Sequence, residues 1–324
     1  MSITLPKISK EIFSKDIHYI LSKNFTSIQP IWLPIQMRWM NNVYRTFHDY
    51  EKFMIILYLM VKTFDYYSKN FVKLNYDDFF SQNEIEVETL VVMEISNALN
   101  IPKETTRRKI NELEELGAIK KSNKKIIIDR DAWPSIKPEE TMKNMSYFLS
   151  ILSKMLFEKG FMPEPVDSNQ IVRAVKDNFS FVWKLYYDMQ MPRLLMFKKI
   201  HGDLETAHVH GICLSNQALN AQKIDTSAMS KAIYLEKYFF GDKQEFSGIN
   251  AMSISDITGI PRATVMRKLN KLVKEKFLTI DSKKHYSTNK GVHKKELLIV
   301  QNNTFINLSK FAARIYNLSL MKDN

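Results

Sequence analysis

The stretch MEISNALNIPKETTRRKINELEELGAIKKSNKK, residues 93–125, recurs as MSISDITGIPRATVMRKLNKLVKEKFLTIDSKK, residues 252–284, without a gap at a constant offset of 159. The identities include Ser96/Ser255, Ile101/Ile260, Pro102/Pro261, Thr105/Thr264, Arg108/Arg267, Lys109/Lys268, Asn111/Asn270 and Leu113/Leu272. A repeated unit of this kind governs the reading of everything around it. In the first copy a short helix ends at Asn100, where the second copy has Gly259. Asn and Gly best tolerate positive φ, so both copies are predicted to turn there. Pro102 and Pro261 follow, where a missing N–H costs a new helix little. In that helix Thr106, Ile110 and Leu113 fall at i, i+4 and i+7, as do Val265, Leu269 and Leu272. Each set forms one buried stripe.

The opposite face carries Lys103, Glu104, Arg107, Arg108 and Asn111 in the first copy, and Arg262, Ala263, Met266, Arg267 and Asn270 in the second. Arg can bond guanine O6 and N7 in a bidentate way, and Asn can do the same with adenine. A solvated charged face is the ordinary reading of such a pattern. The turn before it, the duplication and the basic stretch after it favour a helix-turn-helix that reads the major groove. Strands at Ala118–Lys121 and Lys125–Asp129, joined by Ser122-Asn123-Lys124, make a hairpin wing whose lysines suit phosphates. A longer second wing is predicted from Phe277–Asp281 and Glu296–Val300, with Lys283, Lys284, Lys290, Lys294 and Lys295 between or at the edge.

The segment from Pro102 to Ile119, with KKIIID after it, resembles the winged helix of the cyclic-AMP receptor/Fnr regulators. Their recognition helix carries an E-T-x-x-R pattern, met here by Glu104, Thr105 and Arg108. The resemblance implies base-edge contacts from Glu104 and Arg108 and backbone contacts from Lys103 and Thr105. The second copy resembles the MarR class, whose helices carry a T-V-x-R core, met by Thr264, Val265 and Arg267. Ala263 replaces Glu104 there, so no carboxylate is expected to read cytosine. The likeness spans about 45 residues per copy and points to a superfamily of winged helix-turn-helix regulators. The chain has 8 Gly in 324 residues, too few for the Gly-rich β-roll sensor of the cyclic-nucleotide regulators.

Length allows two or three domains. A net charge of +12 suits an anionic partner, although the excess of Lys over Arg also fits an AT-rich genome. Cys213 is the single cysteine, which rules out an intrachain disulfide and a cysteine-based zinc site. The longest apolar run, Phe53–Val61, is too short to span a bilayer, and the N-terminal stretch lacks the apolar core of a signal peptide. A soluble cytoplasmic protein without a membrane partner is expected.

Helices are expected over 10–24, 35–46 after interruption by Pro30 and Pro34, 49–68, 141–159 and 304–320, with a further helix leading into the first turn motif and a linker at 134–140. Sparse identities at an offset of 154, Asn24/Asn178, Gln36/Gln190, Asp49/Asp203 and Glu51/Glu205, extend the repeat upstream. The expected architecture is mainly α. It is a tandem duplication of a helical unit plus winged helix-turn-helix, with small β-hairpin wings. Residues 1–137 form the first unit (core 90–130) and residues 138–324 the second (core 247–302).

The expected function is sequence-specific binding of double-stranded DNA by a transcriptional regulator, with two non-identical winged helices acting as a covalent pseudo-dimer. Such a chain can stay monomeric or form a homodimer. The expected DNA-contacting residues are Lys103, Glu104, Thr105, Arg107, Arg108, Asn111, Lys124, Arg262, Thr264, Met266, Arg267, Asn270, Lys283, Lys284 and Lys290. A plasmid-type tandem winged-helix replication initiator and a protein-interaction scaffold are the alternatives. His201, Glu205 and His208 would share a helical face with metal-like spacing, but Gly202 weakens a helix there. No nucleophile or phosphate-loop signature occurs, so no enzyme, cofactor or metal is expected.

Overall fold

The structure, a computed structural model, describes residues 11–87, 92–122, 125–129, 137–224, 231–234, 247–289 and 293–321. The first half runs α1 (Ser14–Lys23), α2 (Phe25–Phe47), α3 (Tyr50–Lys69), α4 (Tyr76–Phe80), β1 (Glu84–Val87), α5 (Val92–Leu99), α6 (Lys103–Glu115), β2 (Ile119–Ser122), β3 (Lys125–Asp129) and α7 (Glu139–Glu158). The second runs α8 (Ser168–Asp177), α9 (Phe179–His201), α10 (Leu204–Ile224), α11 (Lys231–Tyr234), α12 (Ala251–Thr258), α13 (Arg262–Lys274), β4 (Leu278–Ile280), β5 (Tyr286–Thr288) and α14 (Lys294–Ser319). The fold is mainly helical, with two small antiparallel sheets of strand order β1-β3-β2 and β4-β5. Helices α8, α9 and α10 begin 154 residues after α1, α2 and α3, and α12 and α13 begin 159 residues after α5 and α6.

The long helices of each half pack on those of the other. α10 lies chiefly on α2 and α8 on α7, while α9 is shared between α3 and α14, and α14 between α9 and α1. A single cluster of buried apolar side chains therefore runs through both halves. Near its centre Gln190 Nε2 donates to Gln36 Oε1 at 3.0 Å, joining two positions 154 residues apart, both almost fully buried. Gln190 Oε1 in turn accepts from Arg193 Nε at 2.9 Å, so both ends of the Gln190 amide are paired, as buried polar groups in such a core require.

Three sequence expectations are corrected. α2 runs unbroken through Pro30 and Pro34. Each proline removes one backbone donor from the helix, but Phe25, Ile28, Trp32 and Ile35 around them are buried, and that burial holds the turns together. The segment before the first turn motif is the strand β1, beyond the one-turn α4. Its Ile85 and Val87 face inward and pair with Ile128 and Ile126 of β3. The second hairpin closes early, with β5 at Tyr286–Thr288, and Glu296–Val300 belongs to α14. Asp281 Oδ1 accepts from the Lys283 and His285 backbone N–H groups at 2.9 and 2.8 Å, which makes the tight turn. Among the described residues no helix is long and apolar enough to cross a membrane.

One ion pair recurs in both halves. Lys109 Nζ meets Asp49 Oδ2 at 2.6 Å, and Lys268 Nζ meets Asp203 Oδ1 at 2.7 Å. Asp49 also accepts from the Glu51 and Lys52 N–H groups, and Asp203 from that of Thr206, so each carboxylate caps the start of a long helix. Burial raises the Asp203 carboxyl, but the Lys268 ammonium and the Thr206 donors outweigh it and bring the pKa down to about 2. A depressed carboxyl stabilises the fold above its unfolded value of about 3.9, and the contribution is lost as pH falls toward the folded one. Asp203→Asn is expected to cost roughly 1–2 kcal/mol at pH 7, allowing for solvent screening. The deficit should narrow as pH is taken from 5 to 3, read by denaturant unfolding of both proteins.

Candidate nucleic-acid interface

The two turn motifs are built by the same contacts. Asn100 has φ 50° and Gly259 has φ 75°, so both copies turn through the left-handed region. Ser96 Oγ donates to the Ile101 carbonyl at 2.7 Å and Ser255 Oγ to the Ile260 carbonyl at 2.8 Å. The hydrogen bonds account for the serine in both copies, and burial of the Ile101 and Ile260 side chains accounts for the isoleucine. Pro102 and Pro261 sit immediately before α6 and α13, each with φ −53°. Thr106, Ile110 and Leu113 are buried along α6, and Val265, Leu269 and Leu272 along α13. Lys109 and Lys268 are turned inward to their aspartates, so these identical lysines serve the fold and not the exposed face.

Lys103, Glu104, Arg107, Arg108 and Asn111 are exposed on α6, with Thr105 half-buried. Arg262, Arg267 and Asn270 are exposed on α13, with Thr264 and Met266 half-buried. Lys283 and Lys284 are exposed at the second hairpin turn. Lys124 and Lys290 lie outside the described residues.

The two faces differ in charge. On α6 the Arg107 Nη1 bonds both Glu104 carboxylate oxygens at 2.9 Å, and Arg108 Nε lies 3.6 Å from Glu112. Lys121 reaches Glu114 at 2.6 Å and Asn111 at 3.1 Å. Lys120 pairs with Glu84 and Asp129, and Lys125 with Glu86. The Lys120 ammonium is held above its ordinary range by Asp129 and Glu84. From Glu84 to Asp129 nine carboxylates stand against eight Lys and Arg, for a net charge of −1. From Ser247 to Asn289 three carboxylates stand against eight Lys and Arg, for a net charge of +5. There Arg262, Arg267, Lys274, Lys276, Lys283 and Lys284 are exposed and form no ion pair with a described residue.

The histidine stretch is divided between two helices by Gly202, whose φ is 84°. His201 Nε2 lies 2.8 Å from His210 Nδ1, and His208 is held by Tyr50 and Asn41. Burial holds all three imidazoles below their usual range, so they are neutral at pH 7. Among the described residues no three potential ligands gather into a metal site.

Helices α6 and α13 end in the same way. Gly117 N–H bonds the Glu114 carbonyl and Ala118 N–H that of Leu113. Lys276 N–H bonds the Val273 carbonyl and Phe277 N–H that of Leu272. This is the Schellman arrangement, which needs a left-handed residue and normally takes Gly. The second copy places Lys276 there at φ 62°, where the first has Gly117 at φ 71°. A left-handed residue with a side chain costs about 1–2 kcal/mol, so a cation is held here against local backbone preference. Lys276→Gly is expected to raise unfolding stability by about 1 kcal/mol. Equilibrium unfolding of both proteins in denaturant checks the sign.

Comparison with protein-family models, with curated proteins and with solved structures finds no match to this chain.

Proposed function

We propose that this chain is a sequence-specific DNA-binding transcriptional regulator of the cytoplasm, built as a tandem duplication of a helical unit and a winged helix-turn-helix. The two units, divided at residues 137/138 by sequence and between α7 and α8 by the order of the repeated elements, act as a covalent pseudo-dimer on double-stranded DNA. The recognition helices are α6 and α13, and the wings are β2–β3 and β4–β5. The duplication is supported by the recurring element boundaries and by the matched Lys–Asp pairs. It is supported also by the hydrogen bond between equivalent glutamines, since a residue that touches its own counterpart lies on a two-fold axis.

The observation that carries the DNA reading is the second motif. An exposed helix face with Arg267 and Asn270 is flanked by four exposed lysines free of carboxylate partners among the described residues. Arg and Asn can read base edges, and the lysines supply phosphate contacts, which position the protein without reading sequence. The first motif offers Arg108 and Asn111 for base edges, but its cations are largely neutralised in place. Affinity then comes chiefly from the second unit, and the first adds selectivity. The ion-paired face of α6 favours one other reading, in which the first motif binds a protein and only the second binds DNA.

Arg267→Ala is expected to cost about 1–3 kcal/mol on the preferred duplex and to relax one half-site. Arg108→Ala should relax the other half-site with a smaller loss. Removing Lys283 and Lys284 together should flatten the dependence of log affinity on log salt by about two phosphate contacts. Binding isotherms from 50 to 200 mM salt decide the matter. An unchanged half-site preference in Arg108→Ala would favour the protein-contact reading for the first motif, and no duplex binding by the intact chain would end the DNA reading.

A further inference from the structure

A cavity of about 110 Å³ lies between α2, α9, α10 and the first turns of α14. Its walls are mainly apolar, with Trp32, Leu33, Phe197, Leu297 and Leu298 prominent among them. One charged side chain lines it, Arg193, which is only 8% exposed. Arg193 Nε donates to Gln190 Oε1 at 2.9 Å, and the guanidinium lies 5.5 Å from the Phe197 ring centroid and 6.0 Å from that of Trp39. Its Nη2 is buried and has no hydrogen-bond partner among the described residues, and no described carboxylate forms an ion pair with it. Burial lowers its pKa to about 10, which leaves it charged at neutral pH.

A buried cation without a counter-charge is costly, and truncating one partner of a buried pair typically costs several kcal/mol for that reason. A protein core has no structural use for such a group when an apolar residue of similar size would pack better. The position 154 residues earlier is Trp39, an apolar alternative at the equivalent place. We propose that the cavity binds one small apolar monocarboxylate per chain, its carboxylate on the Arg193 guanidinium and its body against Trp32, Phe197 and the α14 leucines. An apolar pocket with one convergent polar group is the usual form of a small-molecule site. At about 110 Å³ it is smaller than the cavity of about 150 Å³ that admits benzene, so a single ring or a short alkyl chain is the upper limit, and part of it would stand in the open mouth of the pocket. Phosphate fits poorly, because neutral Gln and Thr side chains are the only other polar side chains in the lining.

The occupant would lie against α14, the helix that follows the second motif. His293, just before α14, has Nε2 2.8 Å from the Glu275 carbonyl at the end of α13, and its ring stacks on Phe277 at 3.7 Å.

Benzoate is the probe, with acetate and benzyl alcohol as controls that lack the ring or the charge. The full chain is titrated by calorimetry and by saturation-transfer NMR, without DNA, so failure here leaves the DNA reading untouched. Benzoate is expected to bind one per chain and to raise the melting temperature, with either control at least tenfold weaker. Arg193→Met should abolish benzoate binding while melting at the same or a higher temperature. Leu298→Trp, which fills the cavity and keeps the arginine, should also abolish it and covers the case in which Arg193→Met does not fold. No benzoate binding, benzyl alcohol binding equally well, or undiminished binding by either folded variant would overturn the proposal.

Discussion

Two ammonium–carboxylate pairs, Lys109 with Asp49 and Lys268 with Asp203, fix each solvent-facing helix to the helical body. Both lysine side chains are about nine-tenths buried, at 11% and 12% exposure, whereas their aspartates keep some water contact at 24% and 34%. Pairs in this intermediate setting avoid the full desolvation cost of a buried bridge yet escape the screening that makes surface bridges nearly worthless. Each aspartate also caps the long helix behind it. The direction of α6 and of α13 is therefore tied to the start of α3 and of α10. A shift of the body carries the exposed faces with it.

Around those two anchors the halves are interlocked. α2 lies on α10 and α9 on α3, so neither half encloses its own core. Gln36 and Gln190 meet where the halves cross. What differs between the halves is the outward chemistry. The first motif carries carboxylates on β1 and α6 that neutralise its cations, and the second has few. The two exposed helix faces therefore present different charge to solvent, one largely neutralised and the other basic. Arg193 opposite Trp39 is a second divergence of the same kind, at the centre of the molecule instead of its surface.

Much of this was legible in the sequence, for local reasons. The turn was readable from Asn100 and Gly259 because positive φ is confined to few residue types. The stripes at Thr106, Ile110, Leu113 and at Val265, Leu269, Leu272 follow from helical period alone. The sparse matches at 154 fall at corresponding helix starts: Asn24 and Asn178 stand just before α2 and α9, and Asp49 and Asp203 cap α3 and α10. Other features depended on tertiary context. Proline rules argue against α2, and only burial on both sides of Pro30 and Pro34 reverses them. Glu296–Val300 is a short apolar run, which periodicity assigns equally to strand or helix. β1 is a four-residue alternation, Glu84-Ile85-Glu86-Val87, and its pattern was available but brief. The neutralisation of the first hairpin could not be read at all, because Glu84 and Glu86 meet Lys120 and Lys125 only after β1 pairs with β3.

Selection of bound duplexes from a random pool by the intact chain, at moderate salt, tests the central reading most directly. Salt must be high enough to suppress phosphate-only binding, which would otherwise mask sequence preference. Two unlike half-sites spaced about 10 base pairs apart are expected from two unlike recognition helices in one chain. Recovery of bound duplexes without any enriched sequence would contradict sequence-specific regulation, and failure to recover duplexes at all would contradict DNA binding itself.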